Sequence, residues 1–163
     1  MPRPSRTEAC SLVADNIGDS LMLARDLKDA LEVERKALET QDLDALTTIV
    51  NRKTACAEKL NVLDGNRGAL LQDWGFSENA DPIQDLIQWC DDNDVIANRW
   101  AELMTVAAEG NNLNLTNGAI IRVRQQHFES SLSVLRGVTP GSDTYGRNGE
   151  ESGDFSRRSL AEA

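Results

Sequence analysis

The chain has 163 residues, a formal net charge of −10 and seven aromatics, three Trp, three Phe and one Tyr. That length fits one domain plus a tail, and so few aromatics leave Leu, Ile, Val and Ala to fill the core, as in helical bundles rather than β-sandwiches. The acidic balance excludes nucleic acid as a partner, because no basic stripe is present to displace phosphate counterions, and it argues equally against an anionic membrane surface. No run of about 18 apolar residues spans a bilayer, and Met1-Pro-Arg-Pro-Ser-Arg lacks the apolar stretch of a signal peptide. Cys10, Cys56 and Cys90 lie far apart without CxxC spacing and read as small apolar residues of a reducing compartment. The expected location is therefore the cytoplasm.

From its start the chain places Val13, Ile17, Leu21, Ala24, Leu27, Leu31 and Leu38 at three- and four-residue steps, one apolar stripe on a helix of about seven turns. The stripe is interrupted at Glu34, a position expected at the rim of a bundle. Thr40-Gln41-Asp42 predicts a break with Asp42 as N-cap of a second helix. That helix carries Leu46, Ile49/Val50, Cys56/Ala57, Leu60, Leu63 and Leu70/Leu71. So short a connection folds the two helices back as an antiparallel hairpin, crossing at about 20°.

Gly65 and Gly68 weaken the end of the second helix, and Asp73-Trp74-Gly75-Phe76 ends it. A restart follows at Asp81-Pro82, with Asp81 as N-cap and Pro82 at the first helical position. Ile83, Leu86, Ile87 and Cys90 line this short helix, and Asp91-Asp92-Asn93-Asp94 is either a brief break or the acidic first turn of the next one. Residues 94–136 read as one long helix, since the apolar phase of Ile96, Trp100, Leu103, Met104 and Ala107 resumes at Ile120/Ile121, Phe128, Leu132 and Leu135. Its centre, with Gly110, four asparagines and Gly118, opposes that reading by up to ~1 kcal/mol per glycine. A kink or short loop there is the alternative.

The fold class expected is thus all-α, an antiparallel bundle of long helices beginning with a hairpin and occupying residues 1–136. Residues 137–163, rich in Gly, Ser and charge, are expected to form a disordered tail, because they cannot bury enough apolar surface to offset their ordering entropy. Tyr145, alone in that tail, is either a chance residue or a docking anchor.

No catalytic constellation stands out. His127, the single histidine, is followed by Phe128-Glu-Ser-Ser, without the basic residue and glycine a phosphotransfer histidine needs, and reads as a solvated surface residue. Carboxylate-bridged metal sites in bundles need Glu-x-x-His pairs on facing helices, zinc needs a Cys/His cluster, and neither pattern is present. The glycine spacings Gly146/Gly149 and Gly149/Gly153 follow no strand and open no helix, so they are not nucleotide loops. Trp74, Trp89 and Trp100 read as packing rather than a ligand cage. No enzyme, cofactor or metal is expected. An acidic helical bundle with a tail fits an adaptor, whose long helices offer grooves for a partner's amphipathic helix and whose tail reaches a second partner.

Specific residues then match a known family. Glu34…Leu38…Asp42…Ala45-Leu46…Lys53…Leu60 follows a loose hairpin pattern, and Leu113-Asn114-Leu115-Thr116-Asn117-Gly118 is similar to an Asn-x-x-Asn-Gly element followed by aliphatics. A Gly/Pro-rich gap, Thr144-Tyr145-Gly146-Arg147-Asn148-Gly149 and Arg157-Arg158-Ser159-Leu160 close the chain in the same order as that family. The chain resembles the FlgN-type flagellar export chaperones. The resemblance implies a chaperone that binds the C-terminal amphipathic helix of the hook-associated (hook–filament junction) proteins, keeps them soluble and delivers them to the cytoplasmic domain of the flagellar export-gate protein. It implies Tyr145 as the gate-docking residue, while Asn117, Gly118, Gly146 and Gly149 carry over as motif positions without a role. A chaperone for another flagellar secretion substrate and a structural coiled-coil scaffold are the alternatives.

Overall fold

The computed structural model describes residues 5–136. They form four helices, α1 (Arg6–Thr40), α2 (Leu43–Trp74), α3 (Pro82–Cys90) and α4 (Val95–Leu135), and no strand occurs among the described residues. The expected all-α architecture is the one observed. The tail expected at 137–163, with Tyr145, Gly146 and Gly149, lies outside the described residues. The chain divides after Val123 into two units, residues 1–123 and 124–163. The first holds α1, α2, α3 and α4 as far as Val123. The described helix of the second runs from Arg124 to Leu135, and there Phe128, Val134 and Leu135 are exposed.

Local chemistry sets the helix ends. Ser5 and Glu8 form a reciprocal capping box at the start of α1, satisfying two otherwise orphaned N–H groups. Gln41 takes the left-handed conformation, φ 62°, and Asp42 Oδ1 accepts from the Ala45 N–H at 3.0 Å to begin α2. The predicted break falls at these residues. α2 ends where expected, with Gly75 at φ 77° and the Phe76 N–H donating back to Leu71 O at 2.9 Å. This is the glycine-terminated helix end in which a residue with a Cβ would be strained. Asp81 caps α3 through the Gln84 N–H, with Pro82 in the first turn.

The four acidic and amide residues 91–94 form a break, one of the two readings left open. Asp91 makes that break useful, because its carboxylate accepts from the N–H groups of Asn93, Val95 and Ala97 at 3.4, 3.1 and 2.8 Å. α4 then runs without interruption through the polar centre around Gly110 and Gly118, so the apolar phase prevails over local propensity.

α1 is the element the others share. Its stripe is buried at Val13, Ile17, Leu21, Ala24, Leu31 and Leu38, as the spacing predicts. α2 packs antiparallel to it, tied by the Asp26–Arg52 ion pair and by Asn16 Nδ2 donating to Leu63 O at 2.8 Å. α4 runs parallel to α1. Its successive ties are Glu102 to Arg25, Glu109 to Lys28 at 2.7 Å, and Asn117 to Leu31 O at 2.9 Å. Towards the start of α1, α3 completes a closed core of Val13, Ile17, Leu86, Ile87 and Ile96, flanked by Phe76, Trp89 and Trp100. There the tryptophans pack as expected: Trp89 lies 5.1 Å from Trp74 and 5.9 Å from Phe76, ring centre to ring centre.

The stripe of α2 behaves otherwise. Ile49 and Cys56 are buried, but Leu46, Leu60, Leu63, Leu70 and Leu71 are half-buried and Val50 and Ala57 are exposed. Part of an apolar face that periodicity would assign to the core is left open.

Candidate functional site

The open face of α2 belongs to a cleft of ≈ 500 Å³. Ala24, Leu27 and Leu31 of α1 form its floor. Thr54, Ala57 and Leu60 of α2 line one wall, and Leu103, Val106, Ala107 and Gly110 of α4 line the other. The lining repeats at three- and four-residue steps on all three helices, which is the spacing at which one helix presents a face to another. At Gly110 α4 lies close to the floor: a Cβ built there would be in ordinary contact, 3.8 Å from Leu31 Cδ1.

Two polar bridges between α2 and α4 bound this cleft. At one end the Arg67 guanidinium lies 5.1 Å from the centre of the Trp100 ring, a cation–π contact. Arg67 also donates to Asn16 Oδ1 at 3.2 Å. At the other end Lys53 Nζ reaches Asn114 Oδ1 at 3.4 Å.

Behind Lys53 is a buried polar node that joins three helices. Lys53 Nζ donates to Glu34 Oε1 at 2.8 Å and Oε2 at 2.9 Å. Asn117 Nδ2 donates to Glu34 Oε2 at 2.8 Å and to Leu31 O at 2.9 Å. Glu34 is 4% exposed and Asn117 1%, so the expectation that Glu34 sits at the rim is wrong. The physical reason is that a carboxylate can be buried when cationic and N–H donors satisfy it, and Lys53 and Asn117 do so from 19 and 83 positions away. Asn117 Oδ1 is buried without a partner among the described residues.

Of the predicted site residues, Asn117 falls in this node and Gly118 follows it, half-buried. Tyr145, Gly146 and Gly149 lie outside the described residues. Glu34, Lys53 and Asn114 were not assigned a part by sequence reasoning. The signal was present twice, in the break of the α1 stripe at Glu34 and in the hairpin pattern that contains Glu34 and Lys53.

The remaining reactive groups are quiet. Burial, then the neighbouring Cys10 thiol, pushes Cys90 up to about 12. Burial and the hydrogen bond to Asp26 push Cys56 upward as well, so both remain thiols at neutral pH. His127 is exposed on α4. Among the described residues no cluster of His, Cys, Asp or Glu is placed to hold a metal ion, and no helix is long and apolar enough to cross a membrane.

Fold and cleft together define a class, an all-α bundle with an open apolar groove between long helices. The FlgN protein family model matches residues 13–153, most of the chain, and the chain belongs to that family of flagellar export chaperones. No curated protein and no solved structure matches it.

Proposed function

We propose that the protein is a non-enzymatic cytoplasmic chaperone of flagellar type III export, whose cargo is the C-terminal amphipathic helix of the hook-associated proteins. The observation that carries this reading is the open stripe of α2 facing Leu103, Val106 and Ala107 of α4 across the floor of α1. An apolar groove walled by helices receives the apolar face of another helix, and sheltering that face prevents the cargo from associating with its own kind. The net charge of −10 keeps the complex soluble. Residues 1–136 then form the cargo-binding part. Residues 137–163 form the tail, in which Tyr145 docks on the cytoplasmic domain of the export-gate protein.

Pull-down of hook-associated proteins and of the gate domain tests both halves. Ala57→Glu, at an exposed position of the groove wall, should abolish cargo capture while the circular dichroism and melting of the chain stay unchanged. Deletion of 138–163, or Tyr145→Ala, should leave cargo capture intact and weaken gate binding and export. Cargo capture by Ala57→Glu at full strength would refute the groove, and normal motility with Tyr145→Ala would refute the docking role.

A further inference from the structure

The two ends of the cleft differ in chemistry, and that difference sets a direction. Around Ala24, Leu60 and Leu103 the lining is aliphatic. Around Leu31 it offers N–H donors from Lys53, Asn111 and Asn114. An ammonium has three donors. Two of those on Lys53 are engaged by Glu34 at 2.8 and 2.9 Å, and the third meets only the distant Asn114 Oδ1 at 3.4 Å. The Asn111 and Asn114 amides offer both donors and acceptors there, so the group at this end that can only donate is the Lys53 ammonium. The Glu34 carboxylate is taken up by Lys53 and by the buried Asn117, so the cleft meets donors at this end rather than the anion behind them.

A helix has one end that matches such a surface. Its last turn carries four carbonyls without intrahelical partners and the negative end of the helix dipole. Its first turn carries orphan N–H groups and the positive end, which would set donors and a positive dipole against the Lys53 ammonium. Resting on the reading of the cleft as the cargo groove, we infer that it holds its helix in one direction only. The C-terminal turn of the guest lies on Lys53, Asn111 and Asn114. The guest runs parallel to α1 and α4 and antiparallel to α2, and its apolar stripe covers Leu27, Ala57 and Val106. The specificity determinant at the polar end is therefore the Lys53 ammonium, with the amides of Asn111 and Asn114, both exposed beside it, adding N–H donors for an uncapped helix end.

The test uses the full chain and a synthetic peptide copying the C-terminal amphipathic helix of a hook-associated protein, with a benzophenone photoprobe on its first or its last helical turn. The last-turn probe should label residues 53–54 and 111–114, and the first-turn probe should label Leu60, Leu103 and Ala107. Asn114→Leu should weaken the peptide about fivefold, the worth of one net hydrogen bond, and Asn114→Gln should restore most of that loss. Labelling with the two ends exchanged, or spread evenly, overturns the direction and leaves the groove standing. Labelling away from all three helices of the cleft overturns both. Displacement of the peptide by a peptide of residues 138–163, or loss of labelling as the chain dimerises, assigns the groove to the tail or to a second copy and overturns the inference as well.

Discussion

Where α3 lies against the first half of α1, Ile17, Leu86 and Ile87 are sealed on every side, with Trp89 and Phe76 around them. About two turns further along, Ala24 and Leu31 of α1 are also buried, yet their cover is split between two helices with an open cleft between them. The same stripe, with the same periodicity, thus makes a closed core in one stretch and the floor of a groove in the next. The difference is the presence of a third apolar partner. α3, short and strongly amphipathic, is that partner at the closed end, while along the cleft no element of the first unit covers the lining of α2 and α4.

The comparison can be broken most sharply by truncating one side chain in each region. Leu86→Ala should cost about 2–5 kcal/mol, because it leaves an enclosed cavity. Leu60→Ala, whose side chain already faces the cleft, should cost about 1 kcal/mol or less. Urea unfolding of the two variants measures the gap, and equal losses would show that the cleft is as closed as the α3 core.

The polar node offers a second cut. Lys53→Met leaves the carboxylate of Glu34 buried without its cation and should cost about 3 kcal/mol. The triple variant Glu34→Leu, Lys53→Met and Asn117→Leu removes the charges and the partnerless Asn117 Oδ1 together, and should recover most of that loss or exceed wild type. The same unfolding measurement decides it. A triple variant as unstable as the single one would mean the node holds the three helices in register rather than balancing its own burial.

The smallest effect concerns pH. Desolvation would raise Asp91, but the N–H groups of residues 93 and 95–97 outweigh it and hold the carboxyl below its ordinary value. The hydrogen bond from Arg52 likewise lowers Asp26. A carboxylate lowered in the folded state binds protons less readily there than when unfolded. Its contribution is complete above the ordinary carboxylate range and disappears as pH falls through the lowered value. Melting temperature should therefore fall as pH drops through and below the ordinary carboxylate range, and Asp91→Asn should flatten part of that fall by being less stable at neutral pH. An Asp91→Asn chain with the wild-type pH slope would remove the capping role.

Much of the fold was legible because its decisive signals are local. Gln41-Asp42, Gly75 and Asp81-Pro82 mark helix ends through the backbone chemistry of a few adjacent residues. The continuity of α4 could be read from apolar phase alone, although its centre has poor helix propensity. What could not be read was long-range complementarity. Glu34 looks like a defect in a stripe until Lys53 and Asn117 are beside it, and periodicity counts Leu60 and Ala57 as core without knowing that α4 stands off from them. The site was visible only as residues of a pattern, Glu34, Lys53 and Asn117, with no reason attached to them.

The two bridges at Arg67–Trp100 and Lys53–Asn114 also act as a ruler. From Leu103 to Asn114 the wall of α4 spans about 16 Å, roughly three helical turns, and a helix lying between the bridges can bury only the few apolar side chains that fall within that length. Each contributes about 1.5–3 kcal/mol, against roughly 4–15 kcal/mol lost on association. The two ranges overlap, so the bounded length keeps the net binding modest however long the guest helix is. Under the proposed cargo-groove reading, the short groove limits residence as effectively as it grants protection.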